Sequence, residues 1–471
     1  MNKKIKIGVG ILAISTIPIL SVVSCGNNAT KRSNDKTTDV KKEVYKKLDS
    51  FQRISTLSEN HKNIIIFFND EVTGDTAYEM LKKRKDIQTK LNDFTIYKNT
   101  ITNQYTNFGI PAILGGWDFT LKNQDTGTFK EKTNWESIHA AHSRMMNMMS
   151  KAGYSQQWHS MQYATKEINE AAAHPEDVKR WYPEQKDLTV TYPKALNKHY
   201  KNNKKYSWVE EHLKASMEIK ENLAIEKTEK PMFKFLGNEA THSNFAAINP
   251  NTNEPDDNAT SDEATIGAIN YVGDFAEKVR SMNKRVWDNT MVIFVSDHGS
   301  ARQKDGLTNN NSKEMINLNK DGWMENKWLF DDMAESTGVH LSRMNPTLMI
   351  KPFKNNKEKT QPLLFNKKTL LSNYDVPAII KNALQEYDNS FNYNIIDKNG
   401  TDFSSYRENP LNQTTNRTIT LYPVKPGQWH PEYDKKNHSH LKDKIRVTDD
   451  IYKKEKWEYS DYNKNIWKNM F

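Results

Sequence analysis

The chain has 471 residues, 36% of them hydrophobic, with a mean hydropathy of −0.87 and a formal charge of +9. Apolar runs such as Ile64–Phe68 and Met291–Val295 are enough to build a core, which excludes wholesale disorder, and the length suits one large α/β domain with insertions. Cys25 is the single cysteine, which excludes an intrachain disulfide, a CxxC metal site and a cysteine nucleophile downstream, and the scattered basic residues form no nucleic-acid module.

At the N-terminus, Lys3, Lys4 and Lys6 precede an apolar stretch from Ile7 to Val23, followed by Val22-Val23-Ser24-Cys25. A positive segment, an apolar segment and a small-residue cleavage site make a secretory signal. The pattern resembles that of bacterial lipoproteins, which implies residues 1–24 as a signal peptide, cleavage before Cys25 and diacylation of its thiol. The expected location is the extracytoplasmic face of the cell membrane, held by lipid. No later run reaches the roughly 18 apolar residues needed to span a bilayer. The polar stretch from Asn27 to about Val40 reads as a tether, so residues 25–59 are assigned to the anchor and its linker.

Downstream, the spacing predicts a buried strand at Asn63–Phe68, because β-branched and aromatic residues run there without alternation. A helix is predicted over Ser137–Ala152 with Gly153 as its C-cap, a short strand over 231–236, and one long amphipathic helix over Ala264–Trp287. Further strands are predicted at Thr290–Val295 and Pro346–Ile350. Segments 185–230, 303–335 and 355–365 are polar and read as surface insertions. A weak strand signal lies near Thr418–Tyr422. The alternation implies an α/β fold with a mainly parallel central sheet and helices on both faces. Residues 60–400 form the expected catalytic domain, and 401–471 a tail whose relation to it the sequence leaves open.

In such sheets, ligands gather at the carboxyl ends of strands. Two of the predicted strands end in acids: Asn69-Asp70-Glu71 and Ser296-Asp297-His298-Gly299. A carboxylate at the end of an apolar strand is costly unless a positive partner meets it. Carboxylate oxygens and an imidazole nitrogen together suit Mn²⁺ or Zn²⁺, with Mg²⁺ and Ca²⁺ as further options.

Val295-Ser296-Asp297-His298-Gly299 after an apolar strand resembles the alkaline phosphatase/sulfatase superfamily, over about residues 60–385. The resemblance implies an alkaline phosphatase-like fold and metal binding by Asp297 and His298. The first strand implies Asp70 as a further ligand, with Glu71 the alternative. Ile113-Leu114-Gly115-Gly116 resembles the element closing the family's nucleophile segment, and the family's spacing lands on Thr106, a catalytic residue that also ligates the metal. Thr102 is the fallback, and Thr106 equally reads as the cap of a helix over 108–114. Thr106-Asn107-Phe108-Gly109-Ile110 lacks the Cys or Ser, the Pro and the Arg of formylglycine sulfatases. It is closer to lipoteichoic acid synthase-like and phosphoethanolamine transferase-like branches. Both are implied as catalytic residues: His242, after Asn238-Glu239-Ala240-Thr241, as a contact to the transferred group, and His340, before Asn345-Pro346-Thr347, as a substrate or second-metal ligand. His139, His142, Arg144, His159, His430, His438 and His440 carry no assignment, and Lys151-Ala152-Gly153-Tyr154 reads as structural.

The expected activity is metal-dependent transfer or hydrolysis of phosphate esters through Thr106. The substrate is a phosphorylated lipid or glycan, and the membrane, reached through the lipid anchor, is the other partner; nucleic acid is not expected. Two alternatives stand beside it: a sulfuric ester hydrolase on the same scaffold, and a non-catalytic surface lipoprotein.

Overall fold

Asn63–Asn69 is buried at every position, which only a strand covered on both faces can sustain. The computed structural model describes residues 48–120, 134–160, 182–191, 207–239, 241, 247–248, 255–256, 261–300, 342–355, 358–387, 409–422 and 444–459. In chain order the central sheet comprises β1 (Asn63–Asn69), β2 (Thr95–Tyr97), β3 (Ser155–His159), β4 (Leu188–Thr191), β5 (Met232–Asn238), β6 (Thr290–Ser296), β7 (Leu348–Lys351) and β8 (Leu364–Asn366). Their spatial order is β8-β2-β7-β6-β1-β5-β3-β4. Among these, β7 alone runs against the rest, so the sheet is mainly parallel, as expected.

The helices that position the site are α1 (Gly74–Lys83), α2 (Thr106–Gly115), α3 (Asn134–Lys151), α4 (Ser207–Glu221), α5 (Ser261–Met282), α6 (Lys284–Asp288) and α7 (Val376–Tyr387). Alternation along β1 divides the core. Ile64, Ile66 and Phe68 join Ile113 and Leu114 of α2, Met145 and Met149 of α3, and Ile380 of α7. Ile65 and Phe67 join Leu81 of α1, Ile219 of α4, and Ile269, Val272 and Phe275 of α5 on the opposite face. The helix α3 closes as predicted. Gly153 takes φ 78°, Tyr154 N–H donates to Met149 O, and Gly153 N–H donates to Ser150 O, a Schellman arrangement that glycine permits.

Three expectations change. The single helix over Ala264–Trp287 is two, because the Asn283 side chain accepts from the amides of Arg285 and Val286 and starts α6 afresh. Within 185–230, β4 forms an edge of the central sheet and α4 buries Ala215 and Ile219, so this stretch is not surface insertion alone. Within 355–365, Leu364 and Phe365 belong to β8, which pairs with β2. Segment 303–335 lies outside the described residues.

The tail contributes a three-stranded antiparallel sheet, β9 (Thr418–Leu421), β10 (Ile445–Thr448) and β11 (Trp457–Tyr459). Ile419, Leu421, Val447 and Trp457 share a core cluster with Ala112 of α2, Leu370 and Tyr374. No helix among the described residues is long and apolar enough to cross a membrane.

Candidate metal and nucleophile site

Asn69 and Ser296 face each other in the last rung of the β1–β6 ladder. The following residues, Asp70 and Asp297, therefore leave the sheet side by side at its carboxyl edge. The backbone of Asp70 is bracketed by the end of β5: its N–H donates to Asn238 O at 3.0 Å, and the Thr241 hydroxyl donates to its carbonyl. Glu71 then takes φ 59°, a left-handed conformation costly for a residue with a Cβ. That turn aims the Glu71 amide at Asp297 Oδ1, 3.1 Å away.

Asp297 Oδ1 also accepts from the His298 amide at 2.8 Å, while Oδ2 lies 3.3 Å from His298 Nε2. Asp70 Oδ1 lies 3.7 Å from the same nitrogen. His298 Nδ1 is 2.8 Å from Gly299 O. A carbonyl only accepts, so Nδ1 carries the hydrogen, and in the neutral ring Nε2 turns a lone pair toward two carboxylate oxygens. One atom from each of Asp70, Asp297 and His298 lies within 4.8 Å of the others, and all three residues are buried. Three electron-rich atoms converging away from water require a positive charge between them. Two oxygens and one nitrogen fit a divalent cation, and the Nδ1–carbonyl bond is the support that fixes a ligating imidazole.

Thr106 meets this cluster from the other side: its Oγ1 is 3.2 Å from His298 Nε2. Thr106 is the first residue of α2 and Tyr105 is the cap, so the hydroxyl faces His298 rather than capping the helix. The Phe108 and Gly109 amides bond back to Tyr105 O, and the positive end of the helix dipole lies at Thr106. Gly109 admits Asp297 against the helix: a Cβ there would stand 2.5 Å from Asp297 O.

The structure thus brings together Asp70, Thr106, Asp297 and His298. Glu71, the alternative ligand, turns elsewhere, with Oε1 3.4 Å from Ser300 Oγ and 3.7 Å from Arg343 Nη1. Thr102 is buried and its amide donates to Met344 O, outside the cluster. His242, His340 and Cys25 lie outside the described residues, as do His430, His438 and His440. His139 stacks on Tyr182 with ring centroids 4.6 Å apart. Burial pushes His142 down to about 4, and burial followed by the charge of His212 pushes His159 down to about 3, so both imidazoles are neutral structural groups.

Two supporting residues escape sequence reasoning. Asn373 Nδ2 donates to Ser296 O at 2.8 Å and to Asp297 O at 2.9 Å, pinning the end of β6. Arg343 touches Gln104, just before Thr106, and Glu71, just after Asp70. Neither sits in a motif with recognisable spacing; only the fold brings them to the site.

Residues 63–380 match the model of the family described as Sulfatase. No curated protein matches the chain. Among solved structures, the chain is similar to the lipoteichoic acid synthase LtaP from Listeria monocytogenes, at 11% identity and a TM-score of 0.45, covering 87% of this chain and 88% of that one. It is similar to an alkaline phosphatase superfamily protein from Vibrio parahaemolyticus, at 13% identity and a TM-score of 0.45, over 87% and 84% of the two chains. It is also similar to the C-terminal periplasmic domain of EptC from Escherichia coli, at 12% identity and a TM-score of 0.42, over 81% and 94%. At such scores these likenesses are of general outline. The family model spans more than half of the 471 residues and takes in both strand-end acids and the segment that carries Thr106. On that match the chain belongs to the sulfatase family.

Proposed function

We propose that the chain is a lipid-anchored, extracytoplasmic enzyme that transfers or hydrolyses phosphate esters with Thr106 as its nucleophile. The supporting observation is the 3.2 Å approach of Thr106 Oγ1 to His298 Nε2, at the edge where Asp70 and Asp297 present their carboxylates. A threonine hydroxyl is a poor nucleophile at neutral pH. A divalent cation held by Asp70, Asp297 and His298, Mn²⁺ or Zn²⁺ before Mg²⁺ or Ca²⁺, supplies the missing chemistry when bound: it lowers the pKa of the hydroxyl and draws charge from the phosphoryl oxygens.

The chain's own contribution is positional. Thr106 opens α2, so the helix dipole favours a phosphoryl group beside its oxygen. The Thr106 hydroxyl gives up its proton to solvent as its oxygen attacks phosphorus, and the bond to the leaving alkoxide breaks as the bond to threonine forms. The alkoxide takes a proton from His242 or His340, the sequence-based candidates. An acceptor hydroxyl then displaces Thr106 from phosphorus. Water as acceptor gives hydrolysis, and a lipid or glycan hydroxyl gives transfer.

Phosphate rather than sulfate is favoured because Thr106 cannot become formylglycine, the Cys or Ser product on which the main sulfatase branch depends. The lipid on Cys25 and the segmentation at residues 24, 59 and 400 belong to the same proposal. They are supported by the lipobox-like sequence and by the polar stretch that follows it. The test is turnover by the Mn²⁺-loaded chain of bis(p-nitrophenyl) phosphate against p-nitrophenyl sulfate, with Thr106→Ala in parallel. Cleavage of the phosphodiester, none of the sulfate and none by T106A are expected. Cleavage of the sulfate alone, or full turnover by T106A, contradicts the proposal.

A further inference from the structure

Granted Thr106 as the nucleophile, we propose that Arg343 is the positioning residue that holds the nucleophile segment in register with the metal-ligand segments. Arg343 lies in a single 3-10 turn, Ser342–Met344, and touches all three stretches of chain that build the site. Its Nε donates to Gln104 O at 2.9 Å, and its guanidinium carbon lies 5.2 Å from the centroid of the Tyr105 ring, just ahead of Thr106. Its Nη1 is 3.7 Å from Oε1 of Glu71, the neighbour of Asp70. Its own carbonyl accepts from the Gly299 amide at 2.7 Å, one residue past His298.

The residues after it extend the same stitching. Met344 O accepts from Thr102 N–H, Asn345 O from Gly74 N–H, and the Thr347 amide donates to Val72 O. The turn is thus tied to the chain just before the nucleophile and just after the first ligand. Arginine suits the task because a planar guanidinium donates in its plane while stacking on an aromatic face, which an ammonium cannot do. The side chain is 19% exposed, against 1% for Glu71, so the charge sits at the rim of the site while its anchors are inside.

The position of Thr106 matters because an ångström of displacement of a reacting group costs on the order of 10²-fold in rate. Two readouts test the role. The first is hydrogen exchange of the amides of residues 102–110 in metal-free chain, comparing wild type, Arg343→Lys and Arg343→Ala. The second is kcat and KM of the Mn²⁺-loaded proteins on bis(p-nitrophenyl) phosphate, with Thr106→Ala alongside.

R343A is expected to raise exchange at 102–110 about tenfold and to lower kcat about a hundredfold, with KM changed by less than about threefold. Guanidinium ion added to R343A is expected to recover part of kcat. R343K keeps a charge opposite Glu71 and covers the case in which R343A does not fold; it is expected to fall between wild type and R343A in both readouts. Unchanged exchange at 102–110, a loss confined to KM, or a kcat within about threefold of wild type overturns the proposal. If T106A turns over like wild type, the nucleophile assignment fails instead, and the exchange measurement still decides whether Arg343 holds the segment.

Discussion

Thr106 and His298 are separated by 192 positions in sequence, yet Thr106 Oγ1 stands 3.2 Å from His298 Nε2. Two structural facts produce this approach. The strand β6 delivers Asp297 and His298 to the carboxyl edge in register with Asp70, and α2 begins at that same edge with its bare Gly109 face against Asp297.

The second fact gives the first prediction. In Gly109→Ala the new Cβ would lie 2.5 Å from Asp297 O, 2.7 Å from its Cβ and 2.8 Å from its carbonyl carbon, mostly backbone atoms that cannot rotate away. Alanine is the better helix former by about 1 kcal/mol. Helix propensity alone therefore predicts a gain. We expect instead a loss of about 1–3 kcal/mol, as for other overpacked sites, with turnover reduced on the order of a hundredfold because Asp297 or Thr106 must shift. Thermal denaturation and kcat check it; a raised melting temperature with full activity would show that the close approach is not maintained.

A second prediction concerns Asn373, which is fully buried and clamps the carbonyls of Ser296 and Asp297. Asn373→Ala leaves two buried carbonyls without these donors, at a cost of about 2 kcal/mol. Loosening the strand end that carries Asp297 should also weaken Mn²⁺ binding on the order of 10-fold, the range found when supports of metal ligands are removed. Calorimetric titration of the variant measures this directly. Wild-type affinity in N373A would limit the residue to stability.

The third prediction follows from the buried histidines. Burial pushes His142 and His212 down to about 4, and burial together with the charge of His212 pushes His159 down to about 3. An unfolded histidine titrates near 6.5. Below that pH the unfolded chain binds protons that the folded chain refuses. Stability present above about pH 6.5 is therefore lost as pH falls toward the folded values, by about 1.4 kcal/mol per unit for each group. His142 donates from Nδ1 to Ile138 O at 2.9 Å and packs on Trp158. His142→Leu should remove about 2 kcal/mol of the stability difference between pH 7 and pH 5. Denaturant midpoints of both proteins at the two pH values give the comparison; equal losses would mean that His142 is protonated in the folded state.

The strands at 63–69 and 290–296 were legible because buried parallel strands read as unbroken apolar runs, and the acids that follow them stand out by contrast. Of the four residues that meet at the edge, Asp70, Asp297 and His298 were legible for a related reason, since they end those runs, while Thr106 was reached only through the resemblance to the family, whose spacing counted back from Gly116 lands on it. Other features left weaker traces. Leu188–Thr191 is short, amid polar sequence, and among the described strands of the central sheet bonds to β3 alone, so only its tertiary pairing marks it as a strand. The break between α5 and α6 was signalled by Asn283, an ordinary N-cap residue hidden within a helical periodicity. Arg343 and Asn373 could not be found this way, since their roles consist of backbone carbonyls brought near them by the fold.

The central claim is that Thr106 carries the phosphoryl group during turnover. The most direct measurement is mass spectrometry of the peptide containing Thr106 after the Mn²⁺-loaded chain is incubated with a phosphodiester and quenched in acid. A phosphate-derived adduct on Thr106, absent in Asp297→Ala, is the predicted result. Turnover with an unmodified Thr106 peptide and an adduct on another residue would contradict it.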